Sequence, residues 1–432
     1  MAFKKSTTIS AAAVLLAVLA GGFSKPVKQV ERGINPNVQI TSATHLSSAE
    51  LHMLHPCSAW GTGPVNKGGF ACATPHLIEY GGPVISNVKL IMVVYGTGTY
   101  ASYVSTDTAP SMASYYSQLP TSSYMDWLNE YNTGSQKIGR GTYAGKFTIT
   151  PSAANNGTSI TDAQVQAELN AQINGGHLPV PDANTIFMVH FRAGQTIANG
   201  GNSCQAGGFC AYHGSAINGS YEYCYAVLPD FHSSLCASGC GSSSEYNNVC
   251  STASHEVIEA ITDPLVADAT AFASPLGWYW YSTDTCQGEI ADICNQNQAT
   301  FTGTDGRSYS VQKSWSNAAA ACIASLPVTT SRSVWTYNRA TNAYQQNVVV
   351  TNTSASTITG PISLIISSPV GGTVKTKTGT TATILPAGSA YVNFAGNLAG
   401  NTSLTIPVSF TQTVSGATIS YDLRVVAGPG TR

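Results

Sequence analysis

The chain has 432 residues, too long for one ordinary domain, and only 9% of them are charged, against about a quarter in an average protein. The formal net charge is −2 and no basic patch or run of like charge stands out, so nucleic acid is excluded as an expected partner. A surface kept soluble by Ser, Thr, Asn, Gln, Gly and Tyr suits an extracellular protein, and few ionisable groups mean little charge change in an acid habitat.

The N-terminus reads as a secretory signal peptide over residues 1–20. Lys4 and Lys5 form a basic start, residues 9–20 a short apolar run, and Val18-Leu19-Ala20 a small-residue cleavage site. No later run is long and apolar enough to span a membrane, so the mature protein is expected outside the cell. Residues 21–56 show no clear period and read as a linker or propeptide.

Residues 57–326 form the expected main domain. Val88–Tyr95 (VKLIMVVY) is a continuous apolar run that stops at Gly96, as a buried strand should. Residues 108–131 have helical character, with Trp127 and Leu128 on an apolar stripe. Thr161-x-x-Gln164 is a capping box; Val165, Leu169 and Ile173 follow at helical spacing, and Gly175-Gly176 ends the helix. Ile186–Phe191 (IFMVHF) is a second buried strand. Strands and helices alternate, which predicts an α+β core with a mixed sheet. Beyond Pro327 the composition turns to Thr, Ser, Val, Ile and Gly in short β-forming runs, predicting an all-β antiparallel sandwich over 327–432.

Eleven cysteines end at Cys322, and in an exported chain they read as disulfides rather than metal ligands. The odd count leaves at least one unpaired within the chain, and spacing does not give the pairing. Cys57–Cys72 is the plainer expectation for the first two; the alternative is a Cys57 thiolate masking a metal from a propeptide.

The chemistry gathers at Ser254–Leu265 (SHEVIEAITDPL). Thr252 or Ser254 can cap a helix from about residue 253 to Thr262, and Asp263-Pro264 ends it. His255 and Glu259 are four apart and share a face, the spacing of the zinc-protease signature H-E-x-x-H with its second histidine replaced by glutamate. Zinc accepts carboxylate oxygen, so Glu259 can stand in. Glu256 lies about 100° round the helix, placed as general base toward a metal-activated water. The plain alternative is a solvated helix face. Three acids downstream compete for third ligand. Glu289 is favoured, thirty residues after Glu259. Asp292 could orient His255. Asp263 lies eight residues and about 12 Å of helix rise beyond His255, which suits a supporting partner better than a ligand.

His213 offers an oxyanion-stabilising donor or a further ligand, against the plainer reading of a loop-bonded structural histidine. His190, in an apolar strand, reads as a core or sheet-end residue. Trp278–Tyr281 could line a cleft, though alternating aromatics are more often packing.

The set His255-Glu256-x-x-Glu259-Ala260-x-Thr262-Asp263-Pro264, then Gly277-Trp278, then Gly288-Glu289-Ile290-x-Asp292-x-Cys294 resembles a motif set of secreted bacterial and fungal proteins distantly similar to the plant phosphate-induced, or exordium, family. Upstream, Pro83-Val84, Val88–Ile91, Tyr95-Gly96, the Leu119–Tyr131 segment and Phe209-Cys210-Ala211-Tyr212-His213-Gly214 extend the resemblance over about residues 80–325. It implies secretion and a fold with a zincin-like active helix.

Three functions remain in view. The first is a secreted zinc-dependent peptidase acting on polypeptide, with a C-terminal domain that contacts cell wall, polysaccharide or a partner. The second is a non-catalytic exordium-like cell-wall or adhesion protein whose acidic cluster holds a structural metal, with calcium as the alternative ion. The third, a glycan-active enzyme using Glu256, Glu289 and Asp292, leaves His255 unexplained.

Overall fold

The computed structural model describes residues 75–219, 221–265, 276–281, 287–382, 387–428 and 432, with the backbone of Met53–Leu54. The expected signal peptide, nearly all of 21–56, and Cys57, Cys72 and Cys286 lie outside the described residues. The described residues fall in one compact unit, Leu46–Arg432.

A six-stranded mixed sheet organises the α+β part. Its strands are β1 (Met53–Leu54), β3 (Asn87–Tyr95), β4 (Gly139–Ile149), β6 (Thr185–His190), β8 (Ala211–Asn218) and β9 (Tyr221–Leu228); β2 (Ile78–Glu79) belongs to another sheet. Between them, β5 (Ser159–Thr161) and β7 (Thr196–Ala198) pair in a small parallel ribbon. The sheet order is β1-β8-β9-β6-β3-β4. The β9-β6-β3-β4 run is parallel, and the β8–β9 hairpin adds an antiparallel edge. Part of the expected linker thus joins the sheet: Met53 and Leu54 pair with Tyr212 and Ala211 of β8.

The parallel strands are apolar on both faces because both are covered. Ile91, Val93, Phe187 and Val189 pack on α2 (Asp162–Asn174), which buries Val165, Leu169 and Ile173. Its capping box is present: the Gln164 amide donates to Thr161 Oγ1 at 3.3 Å, and the Thr161 amide donates to Gln164 Oε1 at 2.8 Å. The alternate residues Leu90, Met92, Ile186 and Met188 face the other way, toward α1 (Met112–Gln118) and α3 (Glu245–Thr262). The helical stretch expected over 108–131 divides. Pro120 follows α1, and 119–131 continues as tighter 3₁₀ turns with Trp127 and Leu128 buried. Proline has no N–H to carry an α-helical ladder on.

After α3 come β10 (Trp278–Tyr281), β11 (Gln287–Gly288), and the hairpin of β12 (Gln298–Thr302) with β13 (Ser308–Gln312). The C-terminal part is a sandwich of two antiparallel sheets. One is built on Ala343–Asn352 and Ser403–Gln412, the other on Ile362–Val370 and Ser420–Val426. Val348, Val350, Ile406 and Val408 meet Leu364, Ile366 and Tyr421 in a shared core.

Among the described residues, three disulfides join Cys204 to Cys236, Cys210 to Cys240 and Cys294 to Cys322, and Cys224 and Cys250 are free and buried. Among the described residues no helix is long and apolar enough to cross a membrane.

Candidate functional site

The helix α3 starts earlier than its sequence suggests. Ser244 is the cap, accepting from the Asn247 amide at 3.4 Å, and the helix runs eighteen residues to Thr262. Thr252 and Ser254 lie inside it. Burial against the sheet extends a helix that local capping signals alone would start later. Asp263 then leaves helical geometry ahead of Pro264. Gly277 packs against this end so closely that a Cβ there would stand 2.2 Å from the Thr262 carbonyl oxygen. Its amide donates to Asp263 Oδ1 at 2.7 Å.

Helical spacing turns His255, Glu256 and Glu259 toward β8, and all three are completely buried. Strand alternation supplies the facing group. Tyr212 and Ala216 pack on the α2 side, so His213 points at α3. The turn after β11 brings Glu289 and Asp292. The Asp292 amide donates to Glu259 Oε1 at 2.9 Å, and the Cys294–Cys322 bond anchors the turn from behind.

These side chains converge. His255 Nε2 lies 3.0 Å from Glu259 Oε2 and 3.5 Å from Asp292 Oδ1. His213 Nδ1 lies 3.5 Å from Glu256 Oε2 and 3.6 Å from Glu259 Oε2. Its Nε2 lies 3.7 Å from Glu289 Oε1 and 3.3 Å from the Asp263 carbonyl oxygen. Atoms bound to one tetrahedral zinc at about 2.0–2.1 Å stand about 3.3 Å apart, so these separations suit ligands around a cation. His255–Glu256–Glu259 and His213–Glu259–Glu289 each bring three ligand atoms within 4.8 Å of one another. A third such group, Cys210, Cys236 and Cys240, is accounted for by the disulfides.

The electrostatics point the same way. Burial, with Glu259 and Asp292 adding to it, holds Glu256 well above the ordinary carboxylate range. Burial pushes Glu259 and Asp263 up to about 7, and raises Glu289 strongly. Burial also pushes His213 down to about 3. It would depress His255 likewise, but Glu259, Asp292 and Glu256 outweigh it and hold that imidazole well above its usual value. His255 Nε2, both oxygens of Glu256, Glu259 Oε2 and Asp263 Oδ2 make no hydrogen bond. Each such buried atom costs roughly 1–3 kcal/mol, and native proteins hold only a few per hundred residues. A cation would satisfy most of them together. The cluster of buried histidines and glutamates can therefore hold a metal ion.

Of the sequence candidates, Asp292 stands beside His255, Glu289 beside His213, and the Asp263 carboxylate is turned to Gly277. Gln312 of β13 was not legible from any motif. Its side-chain nitrogen lies 2.9 Å from His255 Nδ1 and donates to Ala291 O at 2.8 Å, fixing the ring against the 289–292 turn. His190 is buried at the end of β6, 2.9 Å from the Tyr116 hydroxyl. Trp278, Tyr279 and Trp280 pack against the core, with Trp278 edge-on to Tyr131 at 5.3 Å. The Tyr281 side chain lies outside the described residues.

A scan against models of protein families finds no match for this chain, and a search of curated proteins finds none either.

Proposed function

We propose that this is an exported zinc-dependent peptidase in which His255 and Glu259 hold the metal and Glu256 is the general base. One observation carries the reading. His255, Glu256 and Glu259 converge from one helix with ligand atoms that have no hydrogen-bond partner, and both oxygens of Glu256 are among them. Zinc held there would supply Lewis-acid polarisation of the scissile carbonyl and lower the pKa of a water. Glu256 takes the proton of the attacking water and returns it to the leaving amine. Gln312 keeps the His255 ring in place, and the Asp263 carbonyl faces His213 Nε2 and favours the tautomer whose Nδ1 lone pair is turned to the cluster. Complete burial excludes bulk water and strengthens every charge interaction inside.

The same burial favours a second reading, in which the metal only holds the fold and the protein acts non-catalytically at a cell wall or surface. Glu256→Gln separates the two. The peptidase reading expects chelator-sensitive hydrolysis of an unfolded protein substrate, abolished in this variant while metal content and melting temperature stay near wild type. A metal-loaded wild type with no proteolysis, melting higher with metal, would establish the structural role instead.

A further inference from the structure

The donor set is larger than one metal needs. A zinc enzyme site takes three protein ligands and keeps one position open. Here two imidazoles and four carboxylates, Glu256, Glu259, Glu289 and Asp292, lie within one cluster. Only Asp292 has an exposed edge, its side chain being 17% accessible. Ionised together as ligands, these four carry a formal charge of −4, and a single divalent cation leaves −2 in a largely buried site. Uncompensated buried charge of that size is not sustained.

The geometry divides this set into two like halves. On one side His255 Nε2 has Glu259 Oε2 at 3.0 Å and Asp292 Oδ1 at 3.5 Å. On the other, His213 Nδ1 has the same Glu259 Oε2 at 3.6 Å while its Nε2 has Glu289 Oε1 at 3.7 Å, and one ring nitrogen of His213 lies within 4.8 Å of a ligand atom of each. Each half is one histidine, one carboxylate of its own and a share of Glu259. Glu259 Oε1 is taken by the Asp292 amide, which turns Oε2 to face both histidines. Glu256 is left over, its Oε2 3.5 Å from His213 Nδ1.

We infer that the cluster is a two-metal centre: His255, Asp292 and Glu259 hold one divalent cation, His213, Glu289 and Glu259 hold a second, and Glu259 bridges them. This rests on the metal reading above and deepens it. Two divalent cations bring the formal charge from −4 to zero. They also explain why a second histidine and a second acid, from a strand and a loop far apart in sequence, are brought to a helix that already carries a metal-ligand pair. Paired metals clamp both the attacking and the leaving group of a hydrolysis, and Glu256, which lies within 4.8 Å of His255 and Glu259 but is assigned to neither cation, stays available as base.

The test is stoichiometry rather than activity. The purified full chain is stripped with chelator, titrated with Zn²⁺ by calorimetry, and assayed for bound zinc by elemental analysis after desalting. The expected result is two equivalents in wild type and one in Glu289→Gln. Glu259→Gln should retain less than one, with circular dichroism confirming that each variant is folded. If a variant fails to fold, the wild-type count stands alone as the test. Saturation of wild type at one equivalent overturns the two-metal centre and leaves the single-metal peptidase standing. No tightly bound zinc overturns both.

Discussion

Glu130 gives a test of the burial argument away from the metal cluster. It ends the 3₁₀ segment 123–131, is buried, and accepts from Ser316 Oγ and the Asn317 amide, each at 2.9 Å. The C-terminal chain closes over it: a Cβ on Gly428 would come within 2.7 Å of the Glu130 Cβ. Burial pushes the carboxyl from 4.5 up to about 7, and the hydrogen bonds only partly offset that. The folded protein therefore keeps a proton that the unfolded chain releases between these values. Stability from this group is complete below about pH 4.5 and is lost as pH rises through about 7. At about 1.4 kcal/mol per tenfold change in proton affinity, the loss approaches about 3 kcal/mol. Glu130→Gln keeps the shape without the charge. Urea unfolding of both proteins at pH 4, 6 and 8, followed by tryptophan fluorescence, should show the variant gaining on wild type by about 2–3 kcal/mol across the range. Only this difference isolates Glu130, because Glu259 and Asp263 also titrate near 7. A difference that stays constant with pH, or moves the other way, would refute the reasoning.

Other positions give sharper mechanical tests. Asp126 accepts two bonds of 2.7 Å from Arg140 and pairs with Arg424 of the last sandwich strand, so Asp126→Ala should cost about 2–4 kcal/mol in denaturant unfolding by removing the carboxylate that both guanidinium groups share. A loss under about 0.5 kcal/mol would place this network among ordinary surface pairs. Gly277→Ala drives a methyl into the Thr262 carbonyl and should lower both yield and melting temperature; an unchanged melting curve would refute the close approach. Replacing Cys294 and Cys322 together by Ala opens a 28-residue loop and should cost about 3–4 kcal/mol, and zinc affinity should fall with it, since Asp292 sits in the same turn. Retained affinity at reduced stability would show that the turn is held by Gln312 and the Asp292 amide alone.

Much of the frame was legible because its signals are local. The run at Val88–Tyr95 lies within a buried parallel strand, that at Ile186–Phe191 passes the end of another by one residue, and Thr161-x-x-Gln164 is a working capping box. The site divides along the same line. His255, Glu256 and Glu259 share a helix, so their spacing states their geometry. Glu289 and Asp292 reach them through a turn whose path depends on a backbone bond to Glu259 and a disulfide, neither of which spacing encodes. His213 is the instructive case. Reading Cys210–Gly214 as a loop left its direction open, but as the start of β8 its alternation settles it: Tyr212 packs toward α2, so His213 must face α3. Gln312 had no signal, because a lone glutamine in a hairpin acquires its role only when the hairpin packs on the helix. The residues that complete the cluster are supplied across the fold, and that is why the sequence pointed to one damaged zinc signature where the packed chain presents two groups of candidate ligands sharing Glu259.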